Sequence, residues 1–162
     1  MSAVPASGPK ELERLIIKNV PRDALMACED AYYGGDTKGR LHSAAFELGH
    51  RPSAAGQVKH FFTNEAFHEA LQAHGAEPSP LRGTRLVVGR LGIFNIARLN
   101  VPGHKWVSLR RSATRKKLAE LNEAIESKYV QGDLFAVARE VSGGTLFILG
   151  VVDGLDSNGV IL

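Results

Sequence analysis

An α+β fold, in which a helical N-terminal half packs on a small, mostly antiparallel sheet with one inserted helix, follows from a change of hydrophobic period along the chain. Over residues 10–76 apolar side chains recur every three or four positions, as on one face of a helix. Over residues 80–162 they gather in short β-branched and aliphatic runs instead. Pro78-Ser79-Pro80 separates the two halves. With 162 residues and 44% apolar composition the chain can bury one sizeable core, so residues 10–162 read as a single globular domain. Residues 1–9, small and polar with Pro5 and Pro9, read as a disordered leader.

The elements follow in order. Leu12, Leu15, Ile16 and Val20 form the first helical stripe. Pro21 suits the first turn of a second helix, which is expected to stop after Tyr33 at Gly34-Gly35. A third helix carries Leu41, Ala44, Ala45 and Leu48 and ends at Gly49. A fourth is expected from about Ser53 after Pro52, and a fifth from Thr63 or Asn64, both good N-caps. Residues 86–101 read as two strands, or one bent strand, interrupted by Gly89 and Gly92. Alternation there puts Ile93, Asn95, Ala97, Leu99 and Val101 on the core side, and Phe94, Ile96, Arg98 and Asn100 on the other. Ser112 can cap a helix that turns Leu118, Leu121 and Ile125 inward and leaves Lys116 and Lys117 in solvent. Strands over 134–141 and 145–152 flank Ser142-Gly143-Gly144 as a hairpin. Residues 158–162 read as a turn followed by strand residues, which either finish an edge of the sheet or begin a strand completed elsewhere.

Charge is unevenly distributed along this framework. Residues 78–119 hold no carboxylate and 10 of the 20 basic side chains, whereas residues 1–77 and 120–162 are each net acidic. Such segregation points to an anionic partner, either nucleic acid or an acidic protein surface. The basic run also sits at the wrong end of its helix. Arg115, Lys116 and Lys117 crowd the start, and Glu120, Glu123 and Glu126 follow, against the preference of the helix dipole. A bound phosphate would resolve the conflict, held by free N–H groups, hydroxyls and guanidinium forks, with His104 and Trp106 placed to stack on a base. Arg98, His104, Lys105, Trp106, Arg110, Arg111, Ser112, Arg115, Lys116 and Lys117 are therefore the candidate nucleic-acid or anion-binding residues. The competing explanation is a solvated basic face that pairs with the acidic C-terminal segment.

Residues 41–58 contain small Ala44 and Ala45, apolar Leu48, the turn residue Gly49, and Ala55 and Val58. This pattern resembles the helix-turn-helix of bacterial DNA-binding domains, which implies a second helix presenting Arg51, Ser53, Gly56 and Gln57 to a major groove. Two core helices joined by a short Gly/Pro turn give the same pattern. His50 stands where such motifs usually have an apolar residue.

Other chemistries find little support. Glu47 with His50, and Glu65 with His68, form Glu-x-x-His units of the kind that bind paired metal ions in helical bundles, but only 14 residues separate them and Gly49 interrupts the first. Neither a metal nor a cofactor is expected. No phosphate-loop, nucleophile-elbow or dinucleotide fingerprint is present, and Asp153 and Asp156 belong to a turn-forming run of Asp, Gly, Ser and Asn. Catalysis, if it occurs, would act on a phosphate-bearing substrate with Arg110, Arg111 and Arg115 as clamps and His104 as acid or base. Cys28 is the single cysteine, which removes internal disulfides and, with the lack of a secretory signal, favours a cytoplasmic location. The longest apolar run, residues 146–152, falls far below the roughly 20 residues that span a bilayer, so no membrane partner is expected.

Overall fold

A computed structural model describes residues 8–102, 112–130, 140–152 and 160–161. The fold is α+β, with three helices in the first half, α1 (Gly8–Asn19), α2 (Arg22–Ser43) and α3 (Arg51–Ala73). They pack on a sheet in the second half made of β1 (Val88–Leu91), β2 (Phe94–Pro102), β3 (Gly144–Val152) and β4 (Val160–Ile161), in that spatial order. Between β2 and β3 lie α4 (Ala113–Glu120), α5 (Glu123–Ile125) and a π-helical turn, Glu126–Val130. α1 begins at Gly8, so the last two residues assigned to the leader are helical; residues 1–7 lie outside those described.

Five expected helices condense into three. α2 runs through Gly34 and Gly35 because α3 lies against it there: at Gly39 a β-carbon would stand 2.8 Å from Lys59 Cβ, and at Gly35 it would collide with Thr63. The pairs 35/63 and 39/59 step oppositely along the chain, as in an antiparallel helical hairpin. Glycine here permits close approach; it does not end the helix. Thr63 and Asn64, expected as N-caps, sit mid-helix with their side chains turned to other uses, Thr63 Oγ1 donating to the Lys59 carbonyl at 2.7 Å. The helix-turn-helix reading fails on the same geometry. Its two helices form this long hairpin, the turn spans residues 44–50 where the motif allows three or four, and Leu48 is 75% exposed where it should be in the core.

β1 and β2 pair antiparallel across Gly92 (φ +57°), and β3 pairs antiparallel with β4, so residues 160–161 lie at an edge of the sheet. The longest pairing, β2 with β3 from Phe94↔Gly144 to Pro102↔Val152, is parallel. Parallel neighbours require a crossover, and the inserted helix α4 belongs to it. Residues 134–139 of the expected hairpin lie outside those described, while Glu140 and Val141 are not in a strand. β2 is buried on both faces: Phe94, Ile96 and Arg98 are as enclosed as Ala97, Leu99 and Val101. The side assigned away from the core thus joins it, with Phe94 and Ile96 packing in one cluster with Phe67, Leu71, Cys28 and Tyr32. α4 breaks at Leu121-Asn122 because the Asn122 amide pairs with the Thr145 backbone, accepting from N–H at 2.6 Å and donating to C=O at 2.9 Å. The break shifts the helical phase. Ile125 is buried and Leu118 half-buried as expected, but Leu121 is 50% exposed.

Candidate anion-binding site

The centre of the site is a cation in the core. Arg98, on the central strand, is 3% exposed. Its guanidinium donates twice to Asn64 Oδ1, from Nε at 3.0 Å and Nη2 at 2.6 Å, and Nη2 also donates to the His60 carbonyl at 3.1 Å and lies 3.2 Å from His60 Nδ1. Among the described residues no carboxylate pairs with it, the two ion pairs being Asp36 with Arg40 and Asp36 with Lys59. Its Nη1 makes no hydrogen bond within that set either. The Tyr32 ring, centred 5.8 Å from Cζ, supplies a cation–π contact. Tyr32 is not a counter-ion, because burial pushes its hydroxyl up to about 12, and the neutral O–H donates to the carbonyls of Ile148 at 2.8 Å and Leu99 at 3.2 Å. Burial also lowers the pKa of Arg98, yet a guanidinium stays charged throughout the physiological range.

Arg98 lines a pocket of about 650 Å³ built from four segments. His60 comes from α3, Leu99 and Asn100 from β2, Thr84, Arg85 and Leu86 from the loop before β1, and Ser112, Thr114 and Arg115 from the start of α4. Asn64 ties two of these together, since its Nδ2 donates to the Arg85 carbonyl at 3.4 Å while its oxygen holds Arg98. Ser112 caps α4 by accepting from the Arg115 N–H at 3.1 Å, which leaves its hydroxyl proton free to donate. Three arginines therefore line one concavity, and none of the described lining residues is Asp or Glu. Burial lowers the pKa of His60 first and the Arg98 charge lowers it further, which favours the neutral ring. Its ring nitrogens lie 3.2 Å from Arg98 Nη2 and 3.3 Å from Asn64 Nδ2, so a proton on either nitrogen faces a donor there.

Of the candidate residues, Arg98, Ser112 and Arg115 come together in this pocket. Lys116 and Lys117 are exposed on α4 and do not line it, while His104, Lys105, Trp106, Arg110 and Arg111 lie outside the described residues. His60, Asn64, Thr84 and Arg85 build the site without being among the sequence candidates for it. His60 and Asn64 stand one helical turn apart, a spacing that puts both on one face, but no local signal says that this face meets Arg98. The Glu-x-x-His units do not meet. Glu47 and His50 lie on the 44–50 turn and Glu65 and His68 in the middle of α3, and among the described residues no three His, Cys, Asp or Glu side chains converge on a metal position. Also among the described residues, no helix is long and apolar enough to cross a membrane. No protein-family model matches this chain, and neither a curated protein nor a solved structure resembles it at a significant level.

Proposed function

We propose that this protein binds a phosphate-bearing polyanion, with nucleic acid as the leading case, and that the pocket around Arg98 anchors it. What supports the reading is Arg98 itself, a buried charge with no carboxylate partner among the described residues, at a pocket shared with Arg85 and Arg115. An isolated buried ion costs several kcal/mol after relaxation, and an anion that enters the pocket lowers that cost. Thr84, Thr114 and Ser112 add hydroxyl donors, and α4 adds the first-turn N–H groups that Ser112 does not cap. A concave site of this kind suits a compact tetrahedral anion better than the carboxylates of a flat acidic protein surface. Binding without chemistry is favoured because His60 is the one imidazole in the described lining, burial and the Arg98 charge lower its pKa, and no acid stands beside it.

The test is fluorescence anisotropy with labelled single- and double-stranded DNA and RNA over a range of salt. Wild type is expected to bind at low salt, with log affinity falling linearly in log salt. Neutralising Arg85 and Arg115 together is expected to flatten that slope by about 0.7–0.9 for each phosphate that the protein no longer neutralises. Absence of binding to every nucleic acid at low salt would remove the nucleic-acid reading.

A further inference from the structure

Depth within the pocket bears on which phosphate it can hold. Arg98 is 3% exposed while Arg85, Thr84 and Thr114 are exposed, so the guanidinium with no carboxylate partner lies deep and the remaining donors stand nearer the opening. An internal phosphodiester carries a sugar on both sides and only two free oxygens. To bring those oxygens to Arg98 it would have to fold both sugars into the cavity. A phosphomonoester has three free oxygens, one substituent and a second negative charge near neutral pH. It can enter end-on, with its oxygens toward Arg98 and its single substituent leading back past Arg85 and Arg115.

The charge and size agree with this orientation. Three guanidinium groups against no carboxylate, among the described lining residues, match a dianion better than a monoanion. A volume of about 650 Å³ lies within the range of sites that enclose a whole small ligand, and it exceeds the needs of a bare phosphate. The apolar lining from Leu86 and Leu99 offers packing to such a ligand beyond its phosphate, and His60, the one ring in the described lining, lies against Arg98 and Asn64.

Resting on the polyanion reading above, we infer that the pocket is selective for a phosphomonoester dianion of nucleotide size, either the terminal phosphate of a polynucleotide or a free mononucleotide. The experiment compares a short 3′-labelled oligodeoxynucleotide carrying a 5′-phosphate with the same sequence carrying a 5′-hydroxyl, and adds adenosine monophosphate and adenosine as competitors. The 5′-phosphorylated strand is expected to bind at least about tenfold more tightly, the scale of one charge-assisted hydrogen bond. Arg85→Ala, at an exposed position that leaves the core intact, is expected to reduce that preference, and Arg98→Met to abolish it. Competition by the monophosphate but not by adenosine supports the same site, and a monophosphate that binds when neither oligonucleotide does assigns it to free nucleotides, against the polyanion reading. Equal binding of the two oligonucleotides overturns the terminal-phosphate inference and leaves nucleic-acid binding standing. No binding of oligonucleotide, monophosphate or inorganic phosphate overturns both.

Discussion

Replacing Arg98 by Met, which keeps the length of the side chain and removes its charge, separates a ligand-binding group from a purely structural one. In the wild type the guanidinium donates two bonds to Asn64 and one to the His60 carbonyl, and bonds from a charged donor contribute about 1.5–3 kcal/mol each. Against them stands the desolvation of an ion with no carboxylate partner, several kcal/mol even after relaxation. The substitution strands the Asn64 oxygen, at about 1–3 kcal/mol. Set against one another, these terms leave Arg98→Met alone destabilising by up to about 4 kcal/mol. Asn64→Leu combined with Arg98→Met removes the stranded oxygen as well, and is expected to be more stable than the single variant. The ligand effect is separate. Phosphate at a hundred times its dissociation constant stabilises the wild type by about 2.7 kcal/mol, which for a chain of this size raises Tm by roughly 5–10 °C. Thermal unfolding with phosphate, against chloride at matched ionic strength, should show that rise in the wild type and none in either variant. Loss of more than about 4 kcal/mol in Arg98→Met, together with a wild-type Tm indifferent to phosphate, would show that Arg98 is a structural hub and refute the reasoning.

The helical hairpin offers a matched comparison: Gly39→Ala places a β-carbon 2.8 Å from Lys59 Cβ and is expected to destabilise by about 1–3 kcal/mol, whereas Gly34→Ala and Gly56→Ala meet nothing within 4 Å and are expected to stabilise by about 0.5–1 kcal/mol in urea unfolding. His60 has a folded pKa below its unfolded value of about 6.5, so the unfolded state takes up the proton first and stability is lost as pH falls below about 6.5. His60→Gln is accordingly expected to flatten the dependence of the urea midpoint on pH below that value and leave it unchanged above. Asn122→Ala removes both bonds to the Thr145 backbone, and a loss of about 1–3 kcal/mol is expected, read by chemical denaturation.

The α+β class was legible because hydrophobic period is a local property, and so were β1, β2 and the Ser112 cap, which depend on neighbours close in sequence. What escaped depends on partners far along the chain. Gly34-Gly35 carries the local signature of a helix end, but the proximity of Thr63 to Gly35 makes it a place where helices touch. Thr63 and Asn64 have the chemistry of caps, yet Thr63 bonds back to its own helix and Asn64 reaches Arg98, 34 residues away. Leu48, apolar at a position that suited a helix-turn-helix, lies exposed on the hairpin turn. The basic segment pointed to the region where the pocket lies and to three residues that line it, but charge alone could not separate Arg98 and Arg115, which enter the pocket, from Lys116 and Lys117, which do not.

That division explains the reversed order of charges on α4 only in part. Arg115 sits in the first turn, near the positive end of the helix dipole, where a cation costs about 0.3–1 kcal/mol, and its place in the pocket supplies a reason for tolerating the cost. Lys117 already falls in the last turn of α4, where a cation is favourable, and neither it nor Lys116 enters the pocket. Under the proposed function they add to the field outside the site, which raises the rate at which a polyanion arrives, while discrimination belongs to the groups lining the cavity. On that proposal the carboxylate-free stretch serves both ends. An Asp or Glu within about 4 Å of Arg98 would close an ion pair at the pocket and hold the place a phosphate must take. The same stretch contributes every lining element besides α3: the loop carrying Arg85, the strand β2 carrying Arg98, and the start of α4 carrying Arg115. Keeping acids out of residues 78–119 therefore keeps them out of each element it contributes to the pocket, and α3 meets Arg98 with an amide and an imidazole in place of an acid.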